Sequence, residues 1–261
     1  DMASTLQVDG AITGSSTIFG VGISYNISNF SESLLISNDA GTGTLSTASY
    51  NTGIGHEVFN ALTSGDNNTA LGRKALLSLT TGSDNVAIGS GAMSDNTASS
   101  DNIAIGKNAL GTEDSHGKNV AIGYEALKTQ NAGADGNNVA VGYNAGALLS
   151  TAVSSVLIGS SAGDSITTGG YNVAIGHAAL STEDTGRKNV AVGYNTLGTQ
   201  NADVDNHNTA VGFNAGAGVT DGVQNTIIGS LAGDAITEGD GNTAVGYTAL
   251  SGVTTASNNT A

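Results

Sequence analysis

The amino-acid sequence predicts an all-β protein, a parallel β-solenoid or β-roll of about twelve 17-residue coils, and three observations lead to it. A short motif recurs at fixed spacing, the composition is rich in glycine, and the segments between the motifs are polar. The chain has 261 residues with 39 Gly, no Pro, Cys or Trp, and only 4% aromatic residues. A core built from Ala, Val, Ile and Leu is thin, so we expect a narrow, elongated molecule.

Residues 1–50 lack the repeat. The stretch "STLQVDGAITGSSTIFGVG" alternates apolar and polar residues between glycines, which predicts short hairpins or an irregular β segment. We expect this segment to start the rod and cap its open edge, because an uncapped strand edge invites further pairing.

Residues 51–261 repeat in register on a glycine that ends each "A-I-G". This corner glycine occurs at Gly55, Gly72, Gly89, Gly106, Gly123, Gly142, Gly159, Gly176, Gly193, Gly212, Gly229 and Gly246. Its spacing is 17 residues except for two steps of 19, and residues 107–176 match 177–246 at more than half of their positions. The array therefore contains a duplicated 70-residue block, and we expect it to continue beyond Ala261.

An asparagine precedes the corner glycine by four residues in every coil but one. The column consists of Asn51, Asn68, Asn85, Asn102, Asn119, Asn138, Asn172, Asn189, Asn208, Asn225 and Asn242, with Ser155 as the exception. Identical amides stacked at one position can hydrogen-bond from coil to coil, so we predict a structural asparagine ladder.

The three residues between the asparagine and the glycine predict a β-strand. Thr, Val or Ile comes first, mostly Ala second, and Ile, Val or Leu third, so branched residues share one face and a small residue the other. The glycine supplies a corner. A second short apolar element follows it, then polar turns such as "GTEDSHGK". We expect two or three short strands per coil, and stacked coils that bury a continuous core.

Charge and composition exclude several classes of function. A net charge of −15 repels nucleic acid and anionic lipid, and no apolar run is long enough to span a bilayer. "GSSAG" (Gly159–Gly163) has the spelling of a nucleophile elbow, but the equivalent coil reads "GSLAG". The four His are dispersed, and the oxygen-rich turns lack full calcium-loop spacing. We therefore expect no enzyme, no cofactor, no metal and no catalytic residue.

The motif "N-V-A-I-G-x-x-A-L" resembles the head repeat of trimeric autotransporter adhesins of the YadA type and the repeat arrays of phage tail fibres. The resemblance covers residues 51–261, and the 17-residue period departs from the shorter adhesin coil. It implies an extracellular protein in which three chains assemble side by side, with the small Ala column, including Ala121 and Ala140, facing a three-fold axis. A monomeric triangular β-helix, with Ala at a tight coil interior, is the alternative.

The residue after each corner glycine forms a further column, here called the ring column. Five of its members are aromatic and are candidates for contact with a host glycan: Tyr124, Tyr143, Tyr194, Phe213 and Tyr247. The alternative is that these rings pack over neighbouring corner glycines or against another chain.

Three kinds of function remain open. The first is a structural and adhesive phage tail fibre, and the second is the head of a bacterial trimeric autotransporter adhesin. The third is an ice- or surface-binding solenoid, which needs a regular Thr array, whereas Thr occurs in only some strands. The expected partners are a second and third copy of the chain and a host cell-surface glycan or protein.

Overall fold

The computed structural model describes residues 14–18, 21–27, 30–37, 45–113, 115–203 and 205–261. The first three strands form an antiparallel meander of β1 (Gly14–Ile18), β2 (Val21–Ile27) and β3 (Phe30–Ser37). β3 then pairs in parallel with both β4 (Ala48–Ser49) and β5 (Thr52–Ile54). The meander thus supplies the strand on which the coils stack. Residues 1–13, 19–20, 28–29 and 38–44 of the predicted capping segment lie outside the described residues.

Each coil contributes one three-residue strand to a single parallel ladder. After β5 the strands are β6 (Thr69–Leu71), β7 (Val86–Ile88), β8 (Ile103–Ile105), β9 (Val120–Ile122), β10 (Val139–Val141), β11 (Val156–Ile158), β12 (Val173–Ile175), β13 (Val190–Val192), β14 (Thr209–Val211), β15 (Thr226–Ile228) and β16 (Thr243–Val245). Neighbouring strands pair residue for residue without a shift. The predicted parallel β-solenoid is confirmed, and twelve coils at about 4.8 Å each make a stack of roughly 55 Å.

The expectation of two or three strands per coil is wrong for the described residues. Outside the three-residue strand, the coil consists of turns whose backbone groups still bond to the neighbouring coil, as from Leu76 N to Ala92 O (3.1 Å) and from Leu110 N to Ala126 O (2.9 Å). Many turn residues have positive φ, including Leu76 and Leu110 near 50°. A backbone with positive φ is not extended, so these turns are not β-strands although their hydrogen bonds join neighbouring coils.

Small and medium apolar residues fill the interior from three positions of each coil. The centre residue of the strand points inward, and Ala87, Ala104 and most of its equivalents are fully buried. The third and fourth residues after the corner glycine, such as Ala109 and Leu110, are buried against it. The core is therefore a single narrow column that only stacking can complete.

The corner glycines have a φ between 131° and 145°, a region that L-residues with a side chain avoid. A Cβ placed on Gly123 would lie 2.1 Å from the carbonyl oxygen of Gly142, the corner of the next coil. Glycine is required here because two backbones touch.

The position predicted for the Ala column is wrong. Ala121 and Ala140 are completely buried within a single chain, so they cannot face a three-fold axis shared with other chains. The strand is only one layer of a closed coil, and its small face covers the coil's own interior. The branched residues on either side of the Ala, such as Val120 and Ile122, instead lie on the outer face.

Candidate functional site

The asparagine column forms a hydrogen-bonded ladder inside the stack. All of its members are fully buried. The backbone N–H of each ladder residue donates to the side-chain oxygen of the ladder residue one coil before it, at 2.8–3.3 Å. At Ser155 the hydroxyl accepts from Asn172 N at 3.2 Å, so the exception keeps the contact. A buried polar group is expensive unless paired, and here the repeat supplies the partner.

The ladder is not equally strong along its length. Asn68 Nδ2 donates to Asn51 Oδ1 at 3.0 Å and to Gly82 O at 2.9 Å, while its Oδ1 accepts from both nitrogens of Asn85. Asn189 Nδ2 is buried and has no hydrogen-bond partner. It lies in one of the 19-residue coils, whose longer turn alters the acceptor that the other coils offer.

The outer face of the strands is a ladder of branched residues. The third strand position is Ile, Val or Leu in all twelve coils, and the first is Thr in five and Val or Ile in seven. Several of these side chains are more than a third exposed, among them Leu71, Ile103 and Val211. Because neighbouring strands pair without a shift, these residues form two straight rows of branched side chains along the stack, and the row at the third strand position is apolar throughout. Here we call them the outer rows.

Rings of the ring column stack on one another rather than over the corner glycines. Tyr124 and Tyr143 are 5.2 Å apart between centroids, with ring planes 8° from parallel. Tyr194 is stacked in the same way on His177 and on Phe213, again at 5.2 Å. Lys107 Nζ lies 5.5 Å from the centroid of Tyr124. All five aromatic candidates are more than a third exposed, so the rings form a surface feature.

Two equivalent ion pairs involve the long turns. Lys118 Nζ lies 2.5 Å from Asp135 Oδ2, and Lys188 Nζ lies 2.5 Å from Asp205 Oδ2, the equivalent pair in the second copy of the block. The hydrogen bond from the lysine holds the pKa of each aspartate below its ordinary value. Both pairs are exposed, so they contribute little to stability.

Two buried carboxylates, Glu113 and Glu183, lie inside the stack at equivalent positions of the duplicated block. Glu183 is fully buried and its Oε1 accepts from the backbone N–H groups of Asp184 and Gly186, while Asn206 Nδ2 donates to Oε2 at 3.1 Å. Burial nevertheless raises the pKa of Glu183 above its ordinary value. The hydrogen bonds oppose that shift and show a structural role in ordering the turn.

The residues considered for catalysis do not form a reactive constellation. Ser161 in "GSSAG" hydrogen-bonds to Asp164, and His177 lies near that carboxylate with its ring stacked on Tyr194. A serine nucleophile needs the imidazole between itself and the acid. In the described part of the chain, no group of three His, Asp or Glu side chains is placed to hold a metal ion.

The outer rows and Asp164 were not singled out from the sequence. The outer rows could have been found, because a closed coil must turn one face of every strand outward. Asp164 occupies the fifth position after the corner glycine, where only the two coils of Gly159 and Gly229 have Asp. The recurrence of Asp at this position could have been detected from the sequence alone.

Comparison with known proteins identifies no relative of this chain. No protein-family model matches the chain, and neither a curated protein nor a solved structure matches it. In the described ranges there is also no helix with the length and apolar character needed to cross a bilayer. The fold defines a class, the parallel β-solenoids, and the function has to be argued from the surfaces.

Proposed function

We propose that this chain is a structural and adhesive fibre protein, the rod of a phage tail fibre, that acts outside the cell as a homotrimer and spaces or presents contacts to a host receptor. The outer rows are the single observation that carries this proposal. A contiguous apolar strip along the whole stack is typical of a protein–protein interface. A rod with one such strip on each chain can bury it by packing side by side with copies of itself.

The uniform coil also supports a spacing role. Every coil has a strand of three residues, each ladder residue after Asn51 bonds to the one before it, and a 70-residue block is duplicated. Such an array changes its length by adding coils without altering a site. This is the property expected of a rod rather than of a catalytic domain.

The assembly is tested by sedimentation of the purified protein at micromolar concentration. We expect a trimer, and we expect Ile105→Lys combined with Ile122→Lys to give a monomer that keeps its β-sheet circular dichroism. The matched control places two lysines on exposed turns of adjacent coils, Thr151→Lys and Thr168→Lys, and should remain trimeric. A monomeric wild type would contradict the trimer.

The location is tested with antibodies raised against residues 51–261. Labelling of the tails of virions supports the tail fibre. Labelling of bacterial envelopes instead supports the alternative, the head of a trimeric autotransporter adhesin, to which the strand motif is equally similar. Labelling of neither structure overturns the adhesive proposal in both forms.

A further inference from the structure

The ring column is interrupted at regular places. From Lys107 onward it consists of Lys107, Tyr124, Tyr143, Ser160, His177, Tyr194, Phe213, Ser230 and Tyr247. Stacked neighbours cover each other's faces, as His177 and Phe213 cover the two faces of Tyr194. A ring that borders a serine has one face without a ring partner, as Tyr143 does toward Ser160, whereas Tyr124 lies between Lys107 and Tyr143.

Each interruption is a slot one coil wide. Tyr143 and His177 border the slot at Ser160, and Phe213 and Tyr247 border the slot at Ser230. Since adjacent coils are about 4.8 Å apart, the two rings that border a slot are separated by about 10 Å. Carbon atoms pack at about 3.5–4.0 Å, so a flat ring inserted there needs only about 7–8 Å and leaves space. A puckered six-membered sugar ring is thicker and fills the slot better.

The sides of the slot are polar. Ser160 is half-buried at its floor, and Asp164 lies in the same coil, with its carboxylate hydrogen-bonded to the Ser161 hydroxyl and near His177. In the second slot the equivalent carboxylate is Asp234, whose buried Oδ1 has no hydrogen-bond partner. Carboxylate oxygens only accept hydrogen bonds, so they suit the hydroxyl groups of a neutral sugar and disfavour an acidic one.

We propose that the slots at Ser160 and Ser230 each bind one pyranose ring of a neutral polysaccharide, with a ring of the protein against each face and the aspartate at the edge. This inference rests on the proposed adhesive function and names its ligand class. The chain's net charge of −15 also works against sialylated or phosphorylated glycans. Successive slots are four coils apart, about 20 Å along the stack, so one extended glycan chain can occupy both.

The test fills the slots with the residue that the column uses elsewhere. Ser160→Tyr combined with Ser230→Tyr continues the stack at positions where φ is not positive, so folding should be preserved. We expect binding to immobilised neutral hexose polysaccharides (mannan, dextran and galactan) to fall about tenfold or more. The control Ser90→Tyr makes the same change between Arg73 and Lys107, where no ring borders the position, and should bind as the wild type does.

The outcomes separate this inference from the fibre function. Undiminished glycan binding by the filled variant, or equal loss with Ser90→Tyr, overturns the slots. Wild-type binding to sialylated glycans but to none of the neutral polymers also overturns them. Adhesion of the full-length protein to host cells is measured in parallel: adhesion that survives filling leaves the fibre function standing without the slots, and absent wild-type adhesion counts against the fibre function itself.

Discussion

The coil around Gly53 and the coil around Leu157 fill the same interior in opposite ways. At the first, the strand centre has no side chain, and Val58 and Phe59 occupy the space, since a Cβ on Gly53 would lie 2.7–2.8 Å from both. At the second, Leu157 fills the centre, and its methyl groups occupy the space beside Gly146 and Gly163. What the coils conserve is therefore the filled volume and not the residue at a position.

The four coils from β6 to β9 have Ala at the centre and Leu or Met at the fourth position after the corner glycine. Ile227 with Gly216 and Gly233 repeats the exchange seen at Leu157, 70 residues further along. A large residue in one coil is thus compensated by a small residue in the adjacent coil. This compensation predicts which substitutions the stack can accept.

The largest effect is expected from Leu157→Ala. It would leave the space beside Gly146 and Gly163 empty, and the cavity should cost about 3–5 kcal/mol of unfolding free energy. Urea denaturation measures this loss. Val156→Ala, on the outer face of the same strand, is the control and should cost much less.

A second substitution sharpens that result. Adding Gly163→Leu to Leu157→Ala recreates the pattern of the ordinary coils, and Gly163 already has a φ of 56°, close to the values of 48–54° at Leu127, Leu180 and Leu250. We expect the pair to regain most of the lost stability. If the double variant is no more stable than Leu157→Ala alone, the trade of volume is not the reason for these glycines.

Ala121→Leu tests the opposite change, overpacking, in a coil with Ala at the strand centre. The extra methyl groups would overpack an interior in which Leu110 and Leu127 are already buried, at a cost of about 1–3 kcal/mol. Because the site lies inside one chain, the loss should be the same at all protein concentrations. A loss that grew on dilution would place Ala121 at an interface after all.

The asparagine ladder runs through both kinds of coil, and its weak and strong members can be compared. Asn68→Ala would leave the backbone N–H of Asn85 and the carbonyl of Gly82 without partners and would remove one of the two acceptors of Asn85 Nδ2, whereas Asn189→Ala leaves only the backbone N–H of Asn208 without its partner. We expect Asn68→Ala to cost about 1–2 kcal/mol more. Thermal unfolding followed by circular dichroism gives the difference, and equal shifts would argue against the ladder's contribution.

The smallest effect concerns Glu183, which occupies the position filled by Leu149 and Ile166 near Leu157. Because the folded-state pKa of Glu183 is raised, the favourable contribution of its neutral form is complete below about pH 4.5 and is lost as pH rises through the folded value. Glu183→Gln should therefore raise the melting temperature at pH 7 and leave it nearly unchanged at pH 4. A melting temperature lowered equally at both values would contradict this.

Much of the fold could be predicted from the sequence, because a repeat of fixed length exposes every structural position twelve times. The corner glycines, the ladder and the strand all follow from invariant columns. The inward direction of the Ala could not be predicted, since alternation defines two faces of a strand without saying which one is covered. The turns were also beyond prediction, because residues such as Leu110 and Glu125 adopt positive φ that their types disfavour.

The candidate surfaces were predicted only in part. The aromatic members of the ring column were visible as a periodic set, but their mutual stacking depends on rotamers that the sequence does not specify. Ser160 and Ser230 can be identified as gaps between rings only once the neighbouring rings are known to lie parallel. The outer rows could be recognised as a surface only after the structure showed that the Ala face of each strand is buried inside the coil.

The constant step between coils also governs how the chain can fold. Contacts along the ladder join residues 17 or 19 positions apart, so each new coil closes a loop of the same modest size and the same entropic cost. Within the described coils, the ladder requires no contact between distant parts of the chain. We therefore expect folding to proceed as a zipper that starts on the antiparallel meander and advances coil by coil, with a rate that depends on the first coils more than on the length of the array.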